Sequence, residues 1–208
     1  MTKIQAVVFD IGNVLISWQP EQFYDAVIGP ENRKKLFADI DLHAMNERVD
    51  LGADFTQTIY DTAEKYPQWQ AEIRLWHDRW IDIAQPAIGH SVKLLRALKT
   101  KDVPVFALSN FGIGSFEYAK TFYDFLDEFD RSYISGYMGV TKPSPEIYQQ
   151  VEEDSGITPS RLLFADDRIE NIQAADARGW NTHHFDAPLG LADRLVAEGL
   201  LNQAEAKP

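Results

Sequence analysis

Cysteine is absent from all 208 positions, which removes disulfides and thiolate metal sites and fits a reducing compartment. Basic residues are scarce: 20 Lys and Arg stand against 32 Asp and Glu, a formal charge of -12. Binding a phosphate backbone requires a basic face and none is evident, so nucleic acid is not an expected partner. No apolar run approaches the roughly 20 residues of a membrane span. Met1-Thr2-Lys3 leads into the first apolar stretch without the pattern of a signal peptide. The expectation is a cytoplasmic protein with no membrane partner, monomeric or weakly dimeric. The five histidines, His43, His77, His90, His183 and His184, are scattered without metal-ligand spacing. No internal repeat is present, and the one low-complexity stretch is a short polar tail, Gln203 to Pro208. A chain of this length can bury most of its apolar surface as one substantial domain, or as a core with a small insert.

What is present begins with Ala6-Val7-Val8-Phe9-Asp10-Ile11-Gly12-Asn13-Val14-Leu15. The run Ile4 to Phe9 is β-branched and aromatic without clean alternation, which suits a parallel strand buried on both faces. Asp10 at its carboxyl end lies where open α/β sheets place ligands; read alone, it is equally a turn residue. Three later apolar runs also end in polar residues. Val103 to Leu108 leads to Ser109-Asn110, Gly139 to Thr141 leads to Lys142 before a helix from Pro145, and Leu162 to Ala165 leads to Asp166-Asp167 with Asn171 beyond. Each has an ordinary reading: a turn, a surface lysine, a helix N-cap.

Between Trp18 and Ala84 the pattern is helical, with Phe55, Ile59, Ala63 and Tyr66 on one face and Ile73, Trp76, Trp80 and Ile83 on another within a helix from Gln70 to Ile83. Aromatic stripes of this kind belong to a bundle core. From Pro86 strand and helix alternate, with helices over Ser91 to Thr100, Phe116 to Phe129, Pro145 to Gly156, Ile169 to Arg178 and Leu189 to Leu201, and further strands at Arg131 to Ser135 and Thr182 to Phe185. This spacing predicts an α/β fold, a doubly wound parallel sheet, with an all-helical insert after the first strand.

The ordered set Asp10, Ser109, Lys142, Asp166-Asp167 resembles the haloacid dehalogenase (HAD) superfamily of aspartate-nucleophile hydrolases over the whole chain. The resemblance implies a Rossmann-like core of residues 1–16 and 87–208 and a C1-type cap of residues 17–86; the two short connections of the insert, Ile16 to Gln19 and Gln85 to Gly89, can act as hinges. It implies a magnesium-dependent phosphatase acting on a small phosphorylated metabolite. Asp10 would attack phosphorus to give an aspartyl-phosphate, Ser109 and Asn110 would donate to the phosphoryl group, and Lys142 would neutralise its charge. Mg2+ would be held by Asp10, the Gly12 carbonyl and Asp167, with Asp166 and Asn171 close to it or orienting its waters. The chemistry fits: a carboxylate needs no deprotonation at neutral pH, adjacent acids need a cation to stay ionised together, and an all-oxygen set selects magnesium. Within the cap, His43 to Arg48 is the polar patch expected to face substrate through Asn46, Glu47 and Arg48, unless it is simply a solvated helix face.

One position departs from the phosphatase pattern. Phosphatases of this superfamily usually carry an acid/base Asp two residues after the nucleophile, and here that residue is Gly12. The sequence Phe-Asp-x-Gly-Asn-Val is similar to a subgroup that includes bacterial glucose-1-phosphate phosphatases, near the N-terminal phosphatase domain of soluble epoxide hydrolase, which points toward a sugar phosphate. Without a general acid, acidic leaving groups such as anomeric, phenolic and carboxylic oxygens should be favoured. The alternatives are a metal-free 2-haloacid dehalogenase and a non-catalytic HAD-like binding module.

Overall fold

The computed structural model describes residues 4–208; Met1-Thr2-Lys3, on which the expectation about a signal peptide falls, lie outside them. Strands β1 (Ala6–Phe9), β2 (Val105–Ser109), β3 (Arg131–Ile134), β4 (Leu162–Asp166) and β5 (Asn181–His184) form one sheet in the order β3-β2-β1-β4-β5. All pairings are parallel. Between β1 and β2 lie helices α1 (Pro20–Ile28), α2 (Pro30–Asp39), α3 (Leu42–Asp50), α4 (Phe55–Lys65), α5 (Gln70–Asp78) and α6 (Trp80–Ile83). The remaining helices are α7 (Gly89–Lys99), α8 (Ile113–Lys120), α9 (Ser135–Met138), α10 (Pro145–Ser155), α11 (Ile169–Ala177) and α12 (Pro188–Ala197).

The strands lack alternation because both faces are covered. Val7, Phe9, Val105, Ala107, Leu163 and Ala165 pack with Leu94, Leu95 and Leu98 of α7 and Leu191 and Leu195 of α12. Ala6, Val8, Phe106, Leu108, Leu162 and Phe164 pack on the opposite face with Ile147, Tyr148 and Val151 of α10 and Ile172 and Ala175 of α11. Phe9 is in register with both Ala107 and Ala165, so the next residues along each strand, Asp10, Leu108-Ser109 and Asp166, emerge together at the carboxyl edge. Strand order reverses between β1 and β4, and such switch points open the crevice in which α/β proteins bind ligands.

The insertion is tied to the sheet by two segments that run side by side: Ile16 bridges Ala87 in antiparallel fashion, Ser17 N–H donates to the Pro86 carbonyl at 3.0 Å and Ile88 N–H to the Leu15 carbonyl at 2.7 Å. Its aromatic stripes are core, as expected: Phe55, Trp76 and Trp80 are buried and Tyr66 is half-buried against them.

Two helix expectations need correction. The helix expected over Gln70 to Ile83 breaks at Arg79 (φ -124°, ψ 29°) into α5 and α6. The helix expected over Phe116 to Phe129 ends at Lys120, because the chain turns there to bury Phe125 and Leu126 in a short 3-10 turn, Asp124–Asp127. The polar tail is docked: His90 Nε2 lies 2.8 Å from the Ala206 carbonyl, Lys101 pairs with Glu205 at 2.6 Å, and Ala206 is buried.

Candidate active site

Asp10 enters the site with its backbone fixed, since its N–H donates to the Ala165 carbonyl of β4 at 2.9 Å. Its contacts converge on one oxygen. Oδ1 accepts from Ile11 N–H at 2.7 Å and from Ser109 Oγ at 2.7 Å, and it lies 2.9 Å from Lys142 Nζ. The Lys142 ammonium is buried; it also reaches Asp166 Oδ2 at 2.6 Å and the Leu108 carbonyl at 2.8 Å. Asn110 holds the Lys142 backbone from both sides, accepting from its N–H at 2.7 Å and donating to its carbonyl at 2.9 Å. The loop after β2 therefore positions the lysine before α10.

Asp166 is fully buried and heavily committed. Oδ1 accepts from Arg168 N–H at 2.8 Å, and Asn171 Nδ2 lies 3.0 Å from both carboxylate oxygens. Asp167 accepts from Asn13 Nδ2 through Oδ2 at 2.9 Å. Carboxylate oxygens of Asp10, Asp166 and Asp167 lie within 4.8 Å of one another and could hold a metal ion.

The electrostatics leave a deficit of positive charge. Burial pushes the Asp10 carboxyl up to about 7; Lys142 and Ser109 oppose this while the neighbouring Asp166 charge adds to it. Burial works against the Lys142 ammonium, but Asp10 and Asp166 outweigh it and hold the group above its ordinary value. Asp167 is also raised, chiefly by burial, against the Asn13 hydrogen bond. One ammonium stands among three carboxylates, so a further cation would relieve the like-charge repulsion. The buried Asn171 Oδ1 has no hydrogen-bond partner among the described residues, an acceptor left for a group the protein does not supply.

These residues floor a cleft of about 600 Å³ whose opposite wall comes from the insertion. His43, Asn46, Glu47, Asp50 and Leu51 face it from α3 and its end, joined by Trp18 and Trp80. Trp80 packs on Trp18 and Phe111, with ring centroids 6.0 and 5.5 Å apart. The structure brings Asp10, Gly12, Ser109, Asn110, Lys142, Asp167, Asn171, Asn46 and Glu47 to the cleft, with Asp166 directly beneath. It does not bring Arg48. That residue lies on the other side of α3, where Nη2 donates to Thr62 Oγ1 of α4 at 3.0 Å, because residues 43, 46, 47 and 50 share one helical face and 48 does not. Sequence reasoning gave no role to Asn13 or to Asp50, although the spacing of four between Asn46 and Asp50 places the two on one face.

Comparison with known proteins agrees with this arrangement. Residues 4–179 match the family model described as haloacid dehalogenase-like hydrolase. The sesquiterpene phosphatase astK of Aspergillus oryzae is 25% identical over 207 residues, covering 93% of this chain and 96% of that one. The D-ribitol-5-phosphate phosphatase of Bacteroides thetaiotaomicron is 41% identical over a shorter stretch of 56 residues, 27% of each chain. A HAD family enzyme of Bacteroides thetaiotaomicron, solved in complex with magnesium and inorganic phosphate, superposes with a TM-score of 0.64 at 25% identity over 88% of this chain and 95% of that one. With Asp10, Ser109 and the Asp166-Asp167 pair at one edge of a five-stranded parallel sheet and Lys142 brought to them by the loop before α10, the chain belongs to the haloacid dehalogenase-like hydrolases.

Proposed function

We propose that the protein is a magnesium-dependent phosphatase that hydrolyses a small phosphorylated metabolite, sugar phosphates included, through an aspartyl-phosphate on Asp10. The observation that carries this reading is the division of labour at Asp10. Its Oδ1 is pinned by Ser109, Lys142 and Ile11 N–H, which leaves Oδ2 to attack phosphorus. On substrate binding Ser109 Oγ would turn its one proton from Asp10 to a phosphoryl oxygen, the Asn110 backbone N–H would steady another, and Lys142 would offset the charge that develops on them.

The oxygen donors suit magnesium. Asp10 Oδ1, once Ser109 has turned to substrate, the Gly12 carbonyl and Asp167 would hold it, with the unpartnered Asn171 Oδ1 facing its water shell. When bound, the ion supplies the positive charge the three carboxylates lack. Asp166 would act through others: its oxygens hold Lys142, Asn171 and Arg168 N–H, so its part is to orient rather than to ligate directly. Residues 17–86 would form the cap, its paired connections acting as hinges and its Trp18, Trp80 and Glu47 contacting the body of the substrate. A carbon–halogen hydrolysis by Asp10 would leave the Asn13–Asp167 pair without a use, which favours the phosphatase.

The test is a phosphate-release screen over a panel of phosphorylated metabolites, with magnesium and with a chelator. Release from at least one class that stops on chelation is the expected result. Chelator-insensitive hydrolysis of a 2-haloacid, or no hydrolysis of any ester, would remove the reading.

A further inference from the structure

We propose that Asp50, at the end of α3 in the insertion, donates the proton to the leaving group and later takes one from the hydrolytic water, replacing the carboxylate that position 12 lacks. The inference rests on the phosphatase reading above. At Gly12 an added Cβ would meet no atom within 4 Å, so the loop after Asp10 leaves open space where an acid would otherwise stand. Asp50 lines the same cleft as Asp10, Gly12 and Asn13, from the opposite wall.

The other proton carriers of the cleft are occupied. Asp166 holds the buried Lys142, Asp167 accepts from Asn13, and His43 Nε2 lies 2.9 Å from Glu21. Glu47 is exposed on the same helical face. Asp50 is partly buried and held in place. Asn46 Nδ2 donates to Asp50 Oδ2 at 2.9 Å, while Asn46 Oδ1 accepts from the indole N–H of the fully buried Trp76 at 3.1 Å. The tryptophan N–H can only donate, so it fixes which end of the Asn46 amide faces the carboxyl. Asp50 is also bound to the core: its carbonyl accepts from Ser135 Oγ at 2.6 Å, and that hydroxyl accepts from Phe111 N–H at 2.9 Å, two residues past Ser109. The backbone at Asp50 is thus anchored to the loop that follows the phosphoryl-binding serine.

The local chemistry suits a group that must both give and take a proton. Burial raises the Asp50 carboxyl to about 7; the Gly112 N–H and Asn46 oppose this, and the charges of Glu47 and Asp10 add to it. Lys142, Asp167 and Arg168 are the other charged groups lining the cleft from the core side. In the first step an oxygen of Asp10 bonds to phosphorus, the bond from phosphorus to the leaving oxygen breaks, and the Asp50 proton goes to that oxygen. In the second, water bonds to phosphorus and gives its proton to the Asp50 carboxylate, and the bond from phosphorus to Asp10 breaks, releasing phosphate and restoring both side chains. The preference for acidic leaving groups expected from Gly12 alone is therefore replaced by tolerance of alkyl esters.

The experiment uses phosphate esters of graded leaving-group pKa, from p-nitrophenyl phosphate to a simple alkyl phosphate, in single-turnover rates with magnesium. Wild-type enzyme that hydrolyses none of them would overturn the phosphatase reading itself. If it hydrolyses them, its rates should depend weakly on leaving-group pKa. Asp50→Asn should lose about 10²–10⁴-fold on the alkyl ester and far less on the aryl ester, and Gly12→Asp in that background should restore part of the loss. Equal losses on all esters would mean that Asp50 only latches the insertion to the core, and the proposal would be wrong. A second arm needs no change at Asp50: a steep wild-type dependence that Gly12→Asp flattens would also overturn it.

Discussion

Asn13 Nδ2 donates to Asp167 Oδ2 at 2.9 Å, joining the loop after β1 to the acid pair after β4 across 154 positions of sequence. The amide is fixed at its other end as well, because Asn13 Oδ1 accepts from Trp18 N–H at 2.9 Å. Asn13 also has φ of 54°, a left-handed conformation that asparagine tolerates better than most residues. If Asp167 ligates magnesium, Asn13 orients that ligand. Loss of such an outer partner typically weakens metal affinity 10–100-fold. Asn13→Ala should raise the magnesium dissociation constant by about tenfold or more, read by calorimetry without substrate. An unchanged constant would mean that Asn13 braces only the turn to Trp18.

The nucleophile can be separated from the framework around it. Asp10→Asn keeps the shape that accepts from Ser109 Oγ but cannot form the phosphoryl-enzyme. Turnover should fall on the order of 10⁴-fold or more, while circular dichroism shows an intact fold. Acid quenching of the wild type with labelled substrate should trap phosphate on the protein, and the variant should trap none. Activity retained by a rigorously purified variant would take the nucleophile's role from Asp10.

The sheet and its edge were legible because their signals are local. Asp10, Ser109, Lys142 and Asp166-Asp167 each end an apolar run or precede a helix, and parallel order follows from strand and helix alternation. What was not legible depends on packing between segments distant in sequence. Arg48 looked like its neighbours Asn46 and Glu47, and only the contact of α3 with α4 decides that it turns to Thr62. The end of α8 at Lys120 depends on Phe125 and Leu126 reaching the core, and Asn13 acquires its second role from a partner beyond β4. Asp50 carried a weak signal, a carboxylate one helical turn beyond Asn46, but its environment comes from Trp76, Phe111 and Ser135.

The Arg48 contact predicts a division within α3. Arg48 Nη2 donates to Thr62 Oγ1, and that hydroxyl in turn donates to the Thr58 carbonyl at 2.7 Å. Arg48→Ala should cost about 0.5–1.5 kcal/mol of stability, the usual worth of one such bond, and leave the order of substrate preference unchanged. Glu47→Gln, on the cleft side, should reorder preference across a metabolite panel with little effect on stability. A change of preference in Arg48→Ala would show that the insertion rearranges enough in solution to bring Arg48 to substrate.

Asp50 makes a prediction that needs no catalysis. Its carboxyl titrates near 3.8 in an unstructured chain and is raised to about 7 in the fold, mainly by burial. Between those values the folded protein keeps a proton that the unfolded chain has released. Stability from this group therefore declines as pH rises from about 4 to about 7, and above that the charge is carried at full burial cost. Asparagine carries no such charge, and other titrating groups are common to both proteins. The melting temperature of Asp50→Asn minus that of wild type should rise across this window and level off above it. In a chain of this size each 1 kcal/mol corresponds to roughly 2–4 °C. Differential scanning calorimetry at intervals from pH 4 to 8 would measure the trend without substrate. A difference that is flat over the window would mean that Asp50 ionises as an ordinary surface carboxylate, and a donor held protonated near neutrality would have to be sought elsewhere in the cleft.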